Sequence, residues 1–146
     1  MDMNTRDAIS LIARVRQRVN GVILNEISRH GMEGIVVSHG DVLYALFHRE
    51  RMTMAEIADK IAKDKSTVTA LVNKLISLGY VTKERDYMDA RVVYASLTPK
   101  GRELQPVFEE ISNQVMELFY NHISEEEKEE LIRILSKIEN NFEKPE

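Results

Sequence analysis

The chain contains no cysteine, and its 146 residues include only three prolines and six glycines. Without a thiol there is no disulfide framework, thiolate zinc site, cysteine nucleophile or thiol-based redox sensor, so any sensing is non-covalent or falls to His, Asp and Glu. No Pro/Gly-rich linker, internal repeat or low-complexity tract divides the sequence, and a single subunit over residues 1–146 is expected. No window approaches the roughly 18 consecutive apolar residues of a membrane span, and the N-terminus, with Asp2 and Asp7, has no signal-peptide pattern. A cytoplasmic protein with no membrane partner is the expectation. Enzyme chemistry is also missing: there is no Gly-rich phosphate loop and no nucleophile and base at a recognisable spacing, so neither catalysis nor a cofactor is predicted. His30, His39, His48 and His122 form no His-x-x-x-His pair, and no metal site is predicted from them.

What is present is a 43% hydrophobic chain with a formal charge of −4, large enough for one core. That charge is unevenly spread. Residues 1–50 carry 6 Lys and Arg against 6 Asp and Glu, residues 51–102 carry 10 against 6, and residues 103–146 carry 4 against 12. A basic middle in an acidic chain points to an anion-binding face there. The acidic run Glu125 to Glu130 reads as a favourable helix N-terminus and a solvated face. Met52, Met54 and Met116 read as gap-filling core.

Hydrophobic periodicity predicts a mainly α chain. Ile9, Ile12, Ala13, Val19, Ile23 and Ile27 recur at three- and four-residue steps over 5–29, a long amphipathic helix ended by Gly31 and Gly34. Ser38 with Asp41 predicts a capping box for a buried helix carrying Val42, Leu43, Ala45, Leu46 and Phe47. Thr53 with Glu56 repeats the signature before a short helix, and Asp64 caps the next, which turns Val68, Leu71, Val72 and Leu75 inward and stops at Gly79. Val81 to Arg85 and Val92 to Leu97 then form a β-hairpin with a polar tip. Thr98 and Pro99 open a further helix, in which Pro106 predicts a kink by removing a bond to Arg102. Ser124 with Glu127 starts the last one, carrying Leu131, Ile134, Leu135, Ile138 and Phe142.

Helix, helix, hairpin in that order is a winged helix-turn-helix: one helix suits the DNA major groove and the hairpin the neighbouring minor groove. The residue types fit. Ser66, Thr67, Thr69 and Asn73 offer short donors to phosphates and base edges, while Lys63, Lys65, Lys74 and Arg85 supply positive charge. Arg91 suits a narrow, electronegative minor groove, and Asp89 is explained as the partner that holds it. The terminal helices are longer than a small winged domain needs, since some 20 residues span about 30 Å.

The stretch DKSTVTALVNKLISLGYVTKERDYMDARVVYASLTPKG resembles the DNA-binding core of the MarR family of multiple-antibiotic-resistance-type regulators. The wing signature, an Asp, one residue, an Arg, five residues, Leu-Thr and then Gly, is met by Asp89, Arg91, Leu97, Thr98 and Gly101. The resemblance extends along the whole length. It implies three helices plus a β-hairpin wing over residues 38–100, flanked by dimerisation helices over 5–30 and 101–143. It further implies a homodimeric transcription factor, more often a repressor, on a pseudo-palindromic operator in double-stranded DNA. Ser66, Thr67, Thr69, Asn73 and Lys74 would lie at the groove, with Asp89 and Arg91 as the wing contact.

For the dimer the apolar stripes nominate Ile9, Ile12, Leu131, Leu135, Ile138 and Phe142. The family also implies a crevice for a small phenolic or other amphipathic anion. Arg14, Arg16 or Arg18 would pair with its carboxylate, and His39, Val42 and Leu43 would line the wall. The alternative is a winged-helix protein-interaction module without DNA binding, though such a module has no need of a basic middle or of Arg91 at the wing.

Overall fold

The computed structural model describes residues 3–143. Helix α1 (Asp7–Arg29) is followed by α2 (Val37–Phe47), strand β1 (Met52–Thr53), α3 (Met54–Ile61) and α4 (Lys65–Ser77). Strands β2 (Val81–Arg85) and β3 (Val93–Leu97) come next, then α5 (Pro99–Arg102), α6 (Gln105–Phe119) and α7 (Glu125–Asn140). Fully buried Ile27, Val42, Leu43, Leu46, Ile57, Val68, Val72 and Leu75 form the centre of one core, closed by Val81, Ala95 and Leu97 from the sheet and Phe108 and Ile111 from α6. The helix-turn-helix pair and the wing therefore rest on α2, with the C-terminal part of α1 and the start of α6 behind it.

Local chemistry sets most helix ends. Thr53 Oγ1 accepts from the Glu56 N–H while the Glu56 carboxylate accepts from the Thr53 N–H, each at 3.0 Å, and Ser124 with Glu127 repeats the exchange at 3.1 and 2.9 Å. Gly31, Gly34 and Gly79 take left-handed φ of +76°, +79° and +84° at the stops of α1 and α4 and in the loop before α2.

Three expectations are corrected. Ser38 and Asp41 do not cap α2: the helix begins at Val37, and the orphan N–H of Val36 donates to His39 Nδ1 at 3.0 Å. Asp41 therefore lies a turn inside the helix, half-buried. Pro106 does not kink a continuous helix, because the chain breaks at Glu103 and Leu104 and restarts, placing Pro106 in the first turn of α6, where no N–H is required. The sheet also has a third strand. Met52 and Thr53 pair antiparallel with Ala95 and Tyr94, giving the order β1-β3-β2, while β2 and β3 pair from Val81↔Leu97 to Arg85↔Val93.

The residues of the wing signature have structural reasons. Thr98 Oγ1 donates to the Gly79 carbonyl at 2.6 Å and accepts from the Gly101 N–H at 3.1 Å, and the Thr98 N–H donates to the Tyr80 carbonyl at 3.0 Å. This ties the exit of the wing to its entry. A Cβ on Gly101 would sit 2.1 Å from the Tyr80 oxygen, so only glycine fits there.

Candidate nucleic-acid interface

The turn between α3 and α4 sets the direction of α4. Ala62 takes a left-handed conformation at φ +56°, and Asp64 then caps α4 by accepting from the Thr67 N–H at 2.7 Å. That bond, with the Ser66 hydroxyl donating to the same carboxylate at 2.8 Å, holds the Asp64 carboxyl below the usual carboxylate range. Because Val68, Leu71, Val72 and Leu75 face the core, the helical repeat leaves Lys65, Ser66, Thr69, Asn73 and Lys74 exposed and Thr67 half-buried.

These side chains are arranged rather than loose. Thr69 Oγ1 donates to the Lys65 carbonyl at 2.8 Å, leaving its lone pairs outward. Asn73 Oδ1 accepts from Lys83 Nζ at 2.8 Å, so its amide NH₂ is the end left to donate. Lys74 leans toward the loop before α2, where its Nζ lies 3.3 Å from the position a Cβ on Gly34 would take. Lys63 stands exposed in the turn.

In the wing, Asp89 and Arg91 form a two-toothed pair. Arg91 Nε donates to Asp89 Oδ1 at 3.0 Å and Nη2 to Oδ2 at 3.1 Å, and the Arg91 N–H also donates to Oδ1 at 3.0 Å. These bonds hold the Asp89 carboxyl below its ordinary value and raise the Arg91 guanidinium further. The Arg91 side chain nonetheless remains 91% exposed. Arg85 braces the loop by donating through Nη1 to the Ala90 carbonyl at 2.6 Å while the residue stays exposed. Lys83 was missed by sequence reasoning; its signal was a basic residue at an outward position of a strand next to the polar helix.

A separate cleft of about 470 Å³ opens between α1, α2, β1 and α3, lined by Arg16, Asp41, Tyr44, His48, Arg49 and Lys60 among others. A smaller apolar hollow of about 180 Å³, reaching Ile23, Phe108 and Val115, shares Asp41 and Tyr44 with it. Burial pushes the Asp41 carboxyl up, while the nearby charges of Arg16 and Lys63 act in the opposite sense. Of the residues nominated for an effector, only Arg16 lines this cleft. Arg14 and Arg18 lie on exposed positions of α1 and do not line it; Val42 and Leu43 are fully buried in the core; and His39 is occupied at the start of α2. Periodicity put Val42 and Leu43 on α2 correctly but on the face that packs inward.

Outside residues 38–100 the surface changes character. Ile9 and Ile12 on α1 and Leu135, Ile138 and Phe142 at the C-terminal end are exposed, Leu131 is half-buried, and α7 buries none of its residues in the subunit. Among the described residues no cluster of three or more His, Asp or Glu gathers in a metal-holding arrangement, and no helix is long and apolar enough to cross a membrane.

The sequence profile of the MarR family matches residues 30–92, the span from the end of α1 through the wing tip. Over 102 residues the chain is 34% identical to the HTH-type transcriptional regulator SarZ of Staphylococcus haemolyticus, an alignment covering 69% of this chain and 68% of SarZ. The chain belongs to the MarR family. Its relatives are HTH-type transcriptional regulators, and the fold is shared with solved structures of lower identity. A MarR protein of Peptoclostridium difficile superposes with a TM-score of 0.84 at 21% identity, covering 97% of this chain and 90% of the other. BpsR of Bordetella bronchiseptica, whose DNA binding is regulated by 6-hydroxynicotinic acid, gives 0.77 at 22% identity, covering 89% and 96%. Both structures share the fold of this chain.

Proposed function

We propose that the protein is a homodimeric transcriptional repressor, in which residues 38–100 read one half of a pseudo-palindromic operator and residues 5–30 and 101–143 hold two subunits together. The observation that carries this reading is the bond between Lys83 and Asn73, which makes the exposed polar face of α4 and the wing one continuous surface. Ser66, Thr67, Thr69, Asn73 and Lys74 contact the major groove, Lys63, Lys65 and Arg85 face phosphates, and Arg91, aimed by Asp89, enters the minor groove. Two-fold symmetry sets the half-sites about one DNA turn apart and lets two weak contacts reinforce each other, and a dimer seated across a promoter blocks its use.

The exposed apolar side chains of α1, of α7 and of Phe142 just beyond it support the dimer, because leaving Ile9, Ile12, Leu135, Ile138 and Phe142 in water forfeits burial that a second copy supplies. The cleft supports release by a small amphipathic aromatic acid: Arg16, Arg49 and Lys60 offer cations to a carboxylate, and Tyr44 offers an aromatic wall. The regulation of BpsR by 6-hydroxynicotinic acid agrees with that chemistry.

Leu135→Asp tests the assembly. It introduces a carboxylate at a position that is 37% exposed in the subunit alone, so the monomer folds but the dimer is lost, and operator binding is lost with it. Light scattering and electrophoretic mobility on the same sample give both readings. A folded monomer that binds the operator as tightly as the wild type contradicts the two-fold reading.

A further inference from the structure

Tyr87 and Met88 occupy the outermost part of the wing, 97% and 85% exposed. They are not left loose. The Asp86 carboxylate accepts from the N–H groups of both Met88 and Asp89 at 3.0 Å, the Asp86 N–H donates to the Val92 carbonyl at 2.8 Å, and Arg85 grips the Ala90 carbonyl from below. A pinned loop thus holds two large, largely apolar side chains at its apex, where the subunit covers neither.

The charges around them indicate what does. Asp86 is engaged with backbone amides and Asp89 with Arg91, and of that pair it is the Arg91 guanidinium, 91% exposed against 38% for Asp89, that stands open beside the apex. An apolar apex beside an exposed guanidinium matches a surface that is apolar inside and anionic at its rims. The DNA minor groove has that character, with sugar edges for walls and phosphates along both lips. The apex is also continuous with the α4 face through β2, where Lys83 joins Asn73.

We propose that Tyr87 and Met88 enter the minor groove alongside Arg91 and pack against its sugar and base edges, so that the wing supplies an apolar contribution to DNA affinity as well as a charged one. The inference rests on the DNA-binding reading above and goes beyond it, since neither residue is a donor to phosphate by charge. Apolar burial does not release counterions, and this part of the affinity is therefore insensitive to salt, unlike that of Arg91.

The chain contains no tryptophan, so Tyr87→Trp places a single one at the apex. A duplex enriched from a random pool by the wild-type protein, labelled at one end, reports binding by anisotropy while the tryptophan reports the apex. At saturation the expected result is quenched emission and acrylamide access cut to about half or less, as for an indole stacked against nucleic acid. A second variant carrying both Tyr87→Ser and Met88→Ser should fold normally and bind about tenfold more weakly, the worth of burying on the order of 60 Å² of apolar surface. Its salt slope should match the wild type, whereas Arg91→Ala should lose about one unit of slope. Unchanged tryptophan emission and access in a bound complex, or wild-type affinity in the double serine variant, overturns the inference while leaving the DNA-binding reading intact. Failure of the wild-type protein to bind any duplex at low salt removes that reading and this inference together.

Discussion

Lys83 Nζ donates to Asn73 Oδ1 across 2.8 Å, joining the first strand of the wing to the outer face of α4. On the proposed reading this lysine both orients the Asn73 amide toward the bases and adds positive charge to the same surface. Lys83→Ala should therefore weaken DNA binding and flatten its salt dependence by about one unit of slope, while stability stays within about 0.5 kcal/mol because both partners are exposed. Affinity measured at several salt concentrations, with urea unfolding as the control, separates these effects.

Asp89 offers a less intuitive outcome. Removing a negative charge from a DNA-facing wing should strengthen binding if charge alone mattered. Here Asp89 fixes Arg91 through both guanidinium contacts and a backbone bond, so Asp89→Ala should weaken operator binding. Arg91→Ala should do so more strongly without changing stability, since its side chain is 91% exposed. Tighter binding by Asp89→Ala would show that the pair does not serve to aim the arginine.

Gly101 concerns the scaffold. Gly101→Ala puts a methyl group 2.1 Å from the Tyr80 carbonyl oxygen, a backbone atom that cannot step aside without disturbing the bonds from Thr98. A loss of about 3 kcal/mol is expected from such overpacking, visible as a lowered urea midpoint. Ala62→Gly should act in the opposite direction, gaining up to about 1 kcal/mol by relieving a left-handed alanine at φ +56°.

How these residues relate to the sequence differs by element. The boxes at Thr53 and Ser124, the Asp64 cap and the Thr98-Pro99 start were legible because each acts over three residues. Strand β1 was not, because Met52 and Thr53 are strand only by virtue of pairing with Ala95 and Tyr94, far along the chain. The start of α2 was misread because Val36, not Ser38, is the N-cap, and a ring nitrogen of His39 took the role expected of the Asp41 carboxylate. The polar face of α4 follows from the helical repeat alone. The cleft does not: Arg16 was one of three equivalent arginines in sequence, and Asp41, Tyr44, Arg49 and Lys60 meet it only through tertiary packing.

His39 gives a pH dependence. Burial first, and Lys74 second, hold its pKa below the ordinary 6.5. The unfolded chain thus takes up the proton more readily than the folded one, so this contribution to stability is intact above 6.5 and erodes as the pH falls below it. Protonation also removes the Nδ1 lone pair that accepts from Val36. Urea midpoints at pH 7.5 and 5.5 should show a smaller acid loss in His39→Gln than in the wild type; an equal loss in both would assign the effect elsewhere.

The central claim is that two copies of this chain read one operator. Its most direct test is selection of tight binders by the purified protein from random duplex DNA, repeated at two salt concentrations. The account predicts enrichment of a pseudo-palindrome with half-sites about one helical turn apart, bound as a dimer with affinity falling steeply as salt rises. Enrichment of an unpaired single site by a monomer, or no enrichment at low salt, would contradict it.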